Sequence, residues 1–318
     1  MNVSVANLTC VECGKPMNLS TTSEAEKYIC ASCGHDYPVQ DGIVVAWPKS
    51  MGELALEEAH YHDEFDEDAG DVHQLTAHRN KFYHDFIHEY IRKHPAGRAL
   101  EVGAGSSGTE AKQVIQHHAV VETDISPDTL KRLRNNLPKH PEAFVAADGE
   151  HIPFEKASFD IVYMVATFHH FEHPEIALAE FARVLKPGGL LVMGVEPNTT
   201  YFKPIKHVRK HLCRATHMNP AEGSKADALM EGFTYAKLKQ LLGTPQWSAY
   251  TIRPMWLFAG FTHYTLEFLY RAFKMKKRIS LPKGLEKSIV RLDEFLFSIP
   301  GFKHVGWHWI ITAHRSEK

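Results

Sequence analysis

The segment Leu100-Glu101-Val102-Gly103-Ala104-Gly105-Ser106-Ser107-Gly108 constrains this chain more than any other. An apolar run enters it and a helical pattern leaves it, so its glycines sit at a strand-to-helix turn. Such a turn lets a ligand approach the backbone, at the carboxyl edge where open α/β sheets bind ligands. From Arg98 onward, short apolar runs alternate with helical stretches, the signature of βαβ units and a parallel sheet. The pattern predicts strands at 99–102, 119–123, 143–146, 160–165 and 190–195. It predicts helices at 109–116, 127–136 and 174–185, the last ended by Lys186-Pro187-Gly188-Gly189. Further on, Thr234 caps a helix over 235–242, and strands follow at 247–253 and 307–314. Helices at 256–276 and 285–297 separate those last two strands.

Four of the five cysteines form Cys10-x-x-Cys13 and Cys30-x-x-Cys33, sixteen residues apart. Two such turns on facing hairpins supply four thiolates and no open position, the arrangement of a structural zinc site. Disulfides or a redox pair are the alternative. Cys213 stands alone and reads as an apolar filler. Tyr28-Ile29 and the run from Tyr37 to Val45, broken by Asp41-Gly42, read as short strands of a ribbon that needs a metal to fold alone. The expected organisation is a zinc ribbon over 1–48, an acidic linker and lead-in helix over 49–97, and a doubly wound domain over 98–318, with substrate-side insertions at 198–245 and 255–300.

Charge divides the chain. Residues 1–199 hold 16 Lys and Arg against 30 Asp and Glu, whereas residues 200–318 hold 20 against 8. The basic third suits an anionic partner, namely RNA, a phosphorylated substrate or an acidic membrane surface; the alternative is a solvated face. The N-terminus runs polar residues into Cys10 with no apolar targeting core, so a cytoplasmic protein is expected. The apolar segment 254–270 is interrupted by His263 and Glu267 and is too short to span a bilayer. Leu257, Phe261, Tyr264 and Phe268 recur there at helical spacing, before Lys274-Met275-Lys276-Lys277-Arg278. Such a stripe means core packing, a cap over an acceptor pocket, or a helix resting on an anionic membrane.

Taken alone, Gly103-x-Gly105-x-x-Gly108 with Asp124 downstream also satisfies a dinucleotide fingerprint. A second carboxylate at the end of the third strand, in Ala146-Ala147-Asp148-Gly149, separates the two ligands. An acid pair suits ribose, adenine and a positive sulfonium, whereas a pyrophosphate favours an uncompensated helix N-terminus. This order, with His151-Ile152-Pro153-Phe154 and Ser158-Phe159-Asp160, resembles the class I S-adenosylmethionine-dependent methyltransferases. With Val165-Ala166-Thr167-Phe168-His169-His170-Phe171-Glu172-His173-Pro174 and Arg183-Val184-Leu185-Lys186-Pro187-Gly188-Gly189, residues 98–196 resemble the ubiquinone/menaquinone-type enzymes most. The resemblance implies a seven-stranded Rossmann-like sheet. It implies that Gly103, Ala104 and Gly105 carry the methionine part of the cofactor with Glu101 orienting it, that Asp124 holds the ribose, and that Asp148 faces the adenine amino group. Ile125, Gly149 and Val165 would line the adenine and sulfonium sides. Ser107 stands where this family often has a third glycine.

His169, His170 and Glu196 lie just beyond the fourth and fifth strands and are the candidates for substrate contact or proton transfer; paired histidines there also serve as loop packing. The stretch Tyr28-x-Cys30-x-x-Cys33-Gly34-x-x-Tyr37-Pro38-Val39-x-Asp41-Gly42-Ile43 resembles zinc-ribbon proteins that activate RNA and protein methyltransferases. A ribbon ahead of the domain is also similar to ribosomal RNA guanine methyltransferases. The reading is therefore methyl transfer to a small-molecule, lipid-linked or glycan-linked acceptor. The alternatives are a ribosomal or transfer RNA methyltransferase that uses the ribbon and basic region, and a non-catalytic binding protein with the same fold.

Overall fold

A computed structural model describes residues 5–22, 25–64, 77–201 and 232–317. Cys213 and much of the 198–245 insertion lie outside them. The order of elements is β1 (Met17–Thr21), β2 (Glu26–Cys30), β3 (Asp36–Gln40), β4 (Ile43–Val45), α1 (Glu53–Glu64), α2 (His78–Lys93) and β5 (Arg98–Val102). Then come α3 (Ala111–Val114), β6 (Ala119–Asp124), α4 (Pro127–Asn136), β7 (Ala143–Ala146), β8 (Phe159–Val165), α5 (Pro174–Val184) and β9 (Leu185–Pro197). The chain closes with α6 (Tyr235–Leu242), β10 (Trp247–Met255), α7 (Phe258–Ala272), α8 (Lys283–Phe297) and β11 (His308–Arg315).

The strands form one eleven-stranded sheet in the order β1-β2-β3-β4-β7-β6-β5-β8-β9-β11-β10. From β7 to β10 this is the expected seven-stranded Rossmann-like sheet, parallel except for β11, which runs antiparallel to both neighbours. The ribbon is joined to it edge to edge. Asp41 and Gly42 both adopt positive φ, 52° and 78°, as a type I′ turn requires, and return the chain into β4. There Val44 and Val45 pair in parallel with Val145 and Ala146. Leu8, Cys10, Cys30 and Tyr37 accordingly share a core with Val145, Phe154 and Phe159.

On the other face α2 carries Tyr83, Ile87 and Ile91 at helical spacing onto Ala99, Ile161 and Val192. Its close approach depends on Gly194, where a Cβ would overlap Ile87. Truncating a side chain as enclosed as Ile87 costs about 2–5 kcal/mol. Two helix starts are capped as their sequences specify. The Ser126 hydroxyl accepts from the Thr129 N–H at 2.9 Å with Pro127 at the first helical position, and Thr234 accepts from Lys237 N–H at 3.1 Å.

Two expected elements differ. The helix after the glycine-rich loop is a single turn, Ala111–Val114, because Gly108 turns the chain with φ 62° directly beneath Leu133 and Leu137 of α4 and its following residue, leaving few residues before β6. The stretch expected as acidic linker contains α1, which lies against α4: Asp63 accepts from the Ser126 hydroxyl at 2.6 Å, and the His62 carbonyl accepts from the Thr129 hydroxyl at 3.2 Å. Among the described residues no helix is long and apolar enough to cross a membrane.

Candidate cofactor and acceptor site

At the carboxyl ends of β5, β6, β7 and β8 the loops enclose a cavity of about 580 Å³, within the range of small-molecule sites. Glu101, Gly103, Ala104, Gly105, Asp124, Ile125, Asp148, Gly149 and Val165 all line it. The glycine turn is built for close approach. Gly103 and Gly105 have φ of 68° and 61°, in the left-handed region that glycine enters without penalty. A Cβ on Gly103 would also overlap Thr167, two residues beyond the end of β8. Gly108, not position 107, supplies the third left-handed residue, and Ser107 instead accepts from the Thr109 N–H at 3.3 Å.

Asp124 is held from both sides, accepting from Gly105 N–H and Ser126 N–H at 3.0 Å each. The carboxylate thereby ties the glycine turn to the start of α4. Asp148 accepts from Glu150 N–H at 2.9 Å and pairs with His151 Nδ1 at 2.8 Å, a contact that holds the imidazole pKa above its ordinary value. Trp47 of the ribbon's outgoing segment donates its indole N–H to the Ile125 carbonyl at 3.1 Å.

The cavity floor is more unusual. Glu101 and Glu122 are neighbours on paired strands, and both are almost wholly buried. Tyr163 donates to Glu101 Oε2 at 2.8 Å, while Glu122 meets no other donor and has only the Glu101 carboxyl within hydrogen-bonding reach. Burial first, and then the neighbouring Glu122 charge, push Glu101 well above the usual carboxylate range; burial pushes Glu122 up to about 7. Two carboxyl groups in one dry site cannot both ionise cheaply, so the pair retains a proton at neutral pH. Beside it, burial would raise Glu110 too, but His84, with Nδ1 at 2.5 Å, outweighs that and keeps it low.

The three candidates for substrate contact separate. His170 lines the cavity; His169 and Glu196 are not among its lining residues. Glu196 is fully buried and accepts from the N–H groups of Thr167, Phe168 and His169 at 3.1, 2.9 and 3.1 Å, and pairs with His169 Nδ1 at 3.0 Å. It is the anchor of the loop after β8, and His169 is its ring partner. His170 instead turns to α1, with Nδ1 3.2 Å from Glu58 Oε2, which His62 approaches at 3.6 Å. Glu58, His62, Asn80, His84 and Trp256 line the cavity as well, although none was singled out from sequence. No short motif marks them; the nearest signal was the i,i+4 spacing of Glu58 and His62 in the acidic stretch.

Known proteins resemble the domain that carries this cavity. The methyltransferase domain family matches residues 100–193. The chain is a class I S-adenosylmethionine-dependent methyltransferase. An uncharacterized methyltransferase of Schizosaccharomyces pombe is 27% identical over 242 residues, which are 74% of this methyltransferase and 88% of that one. A phthiotriol/phenolphthiotriol dimycocerosates methyltransferase of Mycobacterium ulcerans is 38% identical over 99 residues, 30% of this chain and only 36% of that enzyme's length. A complex of the Haloferax volcanii Trm112 methyltransferase activator with a methyltransferase overlays with TM-score 0.49 at 13% identity, covering 84% of this chain and 98% of that one.

The methyltransferase also carries its cysteine cluster intact. The two knuckles repeat one hydrogen-bond pattern, Cys10 N–H to Lys15 and Gly14 N–H to Cys10 in the first, Cys30 N–H to His35 and Gly34 N–H to Cys30 in the second. Sγ of Cys10 lies 3.6 Å from Cys33, Sγ of Cys13 lies 3.5 Å from Cys30, and all four fall within 4.8 Å of one another. Sulfurs placed ~2.3 Å from one tetrahedral zinc stand about 3.8 Å apart, so the donor set fits that ion.

Proposed function

We propose that this methyltransferase acts on a small-molecule or lipid-linked acceptor seated between His170 and the cofactor cradle, with a structural zinc ion held by Cys10, Cys13, Cys30 and Cys33. The observation that carries the reading is the single cavity shared by the glycine turn, Asp124, Asp148 and the α1 residues Glu58 and His62. Bound there, S-adenosylmethionine supplies an electrophilic methyl group on a positive sulfonium. The chain's part is positional. Asp124 fixes the turn that would receive the methionine end and offers its carboxylate to a ribose diol; Asp148, oriented by Glu150 N–H and His151, would accept from the adenine amino group. Gly149 keeps that side open, since a Cβ there would overlap Phe171.

His170 and Glu58 form the proton-accepting pair on the acceptor side, placed to take a proton from a hydroxyl, amine or activated carbon as it gains the methyl group. α1 closes over this side and excludes water from it. The Mycobacterium ulcerans relative, whose name describes a lipid methyltransferase, supports a lipid-linked acceptor. The test is incubation of the purified chain with methyl-labelled cofactor and fractionated cell extract. Label in the organic phase or the small-molecule pool is expected, together with its loss in His170→Ala at retained cofactor affinity; label confined to RNA would replace this acceptor reading with the RNA one.

A further inference from the structure

We infer that the hairpin of α7 and α8 is a docking surface for an anionic lipid bilayer. The inference concerns a surface outside the cavity and holds whichever acceptor the cavity takes.

Each helix is pinned to the body by polar contacts on its inner side. Asp293 of α8 accepts from the N–H groups of Leu257, Phe258 and Ala259 at 2.8 to 3.0 Å, capping the start of α7. Glu286 holds Arg79 and the His78 N–H of α2, and Glu294 holds Arg253 and the Tyr83 hydroxyl. With the inner sides occupied this way, the outer sides would be expected to be polar. They are apolar instead.

Along α7, Phe258 and Phe261 are exposed by 47% and 63%, and the stripe runs on at helical spacing through Thr265 to the half-buried Phe268; Phe273, just past the helix end, is exposed by 73%. Along α8, Leu285, Leu292 and Phe295 are exposed by 50%, 45% and 63%, with Ser288 completing the stripe. Two adjacent solvent-facing apolar stripes are uncommon on an isolated soluble domain and mark an interaction site.

Charge selects the occupant. Residues 256–303 hold nine Lys and Arg against four Asp and Glu. All four acids are engaged internally: Glu267 with Arg278 at 2.7 Å, and Glu286, Asp293 and Glu294 as above. Among the described residues, Lys274, Lys276, Lys277, Lys283 and Lys287 have no acidic partner. The last four line a cleft of about 910 Å³ between the start of α2 and the α7–α8 connection, beside the stripes. A second copy docked on the same surface would face these lysines with its own, a like-charge clash. RNA would satisfy the lysines but leave Leu285 and Leu292 without a base to stack on. Phenylalanine and leucine flanked by lysine fit the boundary between acyl chains and anionic headgroups. Trp256, at the root of α7, lines the cofactor cavity, so this surface begins at the cavity wall.

The test is co-sedimentation of the full chain with vesicles of phosphatidylcholine alone and of phosphatidylcholine mixed with phosphatidylserine. Affinity for the mixed vesicles should exceed that for the neutral ones by about tenfold or more at low salt. Lys276→Glu with Lys277→Glu should erase that difference, and Phe261→Ser with Phe295→Ser should weaken binding about tenfold. Calorimetric cofactor binding equal to wild type shows that both variants remain folded. Equal binding to the two vesicle types, no binding to either, or variants that bind like wild type would overturn the inference. So would a solution dimer that the phenylalanine variant dissolves, or RNA binding that the lysine variant alone abolishes while vesicle binding is unchanged.

Discussion

Glu196 and Glu122 are both fully buried at the same sheet, yet the protein surrounds them in opposite ways. Glu196, where β9 leaves the sheet, is met by three backbone N–H groups and an imidazole, nearly the full hydrogen-bonding capacity of a carboxylate. Glu122, in the middle of β6, meets no backbone or side-chain N–H and has only the Glu101 carboxyl within hydrogen-bonding reach. The first arrangement converts a charge into a fixed loop. The second leaves a shared proton under the cofactor cradle. Position in the sequence does not distinguish them; what differs is whether loop backbone folds back onto the side chain.

The contrast breaks most visibly at Glu196. Glu196→Ala leaves three N–H groups without that acceptor, those of Phe168 and His169 buried and that of Thr167 partly so, and urea unfolding should show a loss of about 3–5 kcal/mol. Loss of only a few tenths would mean that the loop is held by its apolar contacts. Asp124→Ala removes the tether between Gly105 and Ser126, and calorimetry should find cofactor affinity lower by about a hundredfold, equal to about 2.7 kcal/mol.

Glu122→Gln is expected to act in the other direction. The folded-state value of about 7 lies above the unfolded one, near ~4.3, so Glu122 contributes fully below the lower value and that contribution is lost as pH rises through the upper one. The glutamine variant should therefore be more stable than wild type at pH 8 by about 1–3 kcal/mol, and its stability should vary less between those two pH values. Wild-type behaviour in that window would show that the proton resides elsewhere in the pair. The smallest effect belongs to Ser126→Ala, which removes the α4 cap and its bond to Asp63 and should lower stability by about 1 kcal/mol in thermal melts.

The cradle was legible in the sequence because its determinants are local. Gly103 and Gly105 must take left-handed φ, Pro127 follows its capping serine, Asp124 ends its strand and Asp148 lies two residues beyond the end of β7, all within a few residues of the turns they shape. The cysteine knuckles are local in the same sense. What the sequence left open depends on contacts between distant segments. The direction of Glu196 follows from how the 167–169 loop folds, and Glu58 reaches His170 across 112 positions. Stretches of acidic residues carry little periodic signal, so 53–64 read as linker although Glu58 and Ala59 are enclosed. The stripe of Leu257, Phe261, Tyr264 and Phe268 was visible as helical spacing, but that Tyr264 packs on Trp307 and His308 while Phe261 faces solvent depends on where the neighbouring elements lie.

The parallel pairing of Val44 and Val45 with β7 has a consequence for solubility. It hides the outer hydrogen-bonding edge of the strand that ends two residues before Asp148. A chain whose cysteine knuckles lost their ion would bare that row of amides and carbonyls, a template on which another molecule's strand could zip. Metal supply would then govern clumping of the enzyme before it governed turnover.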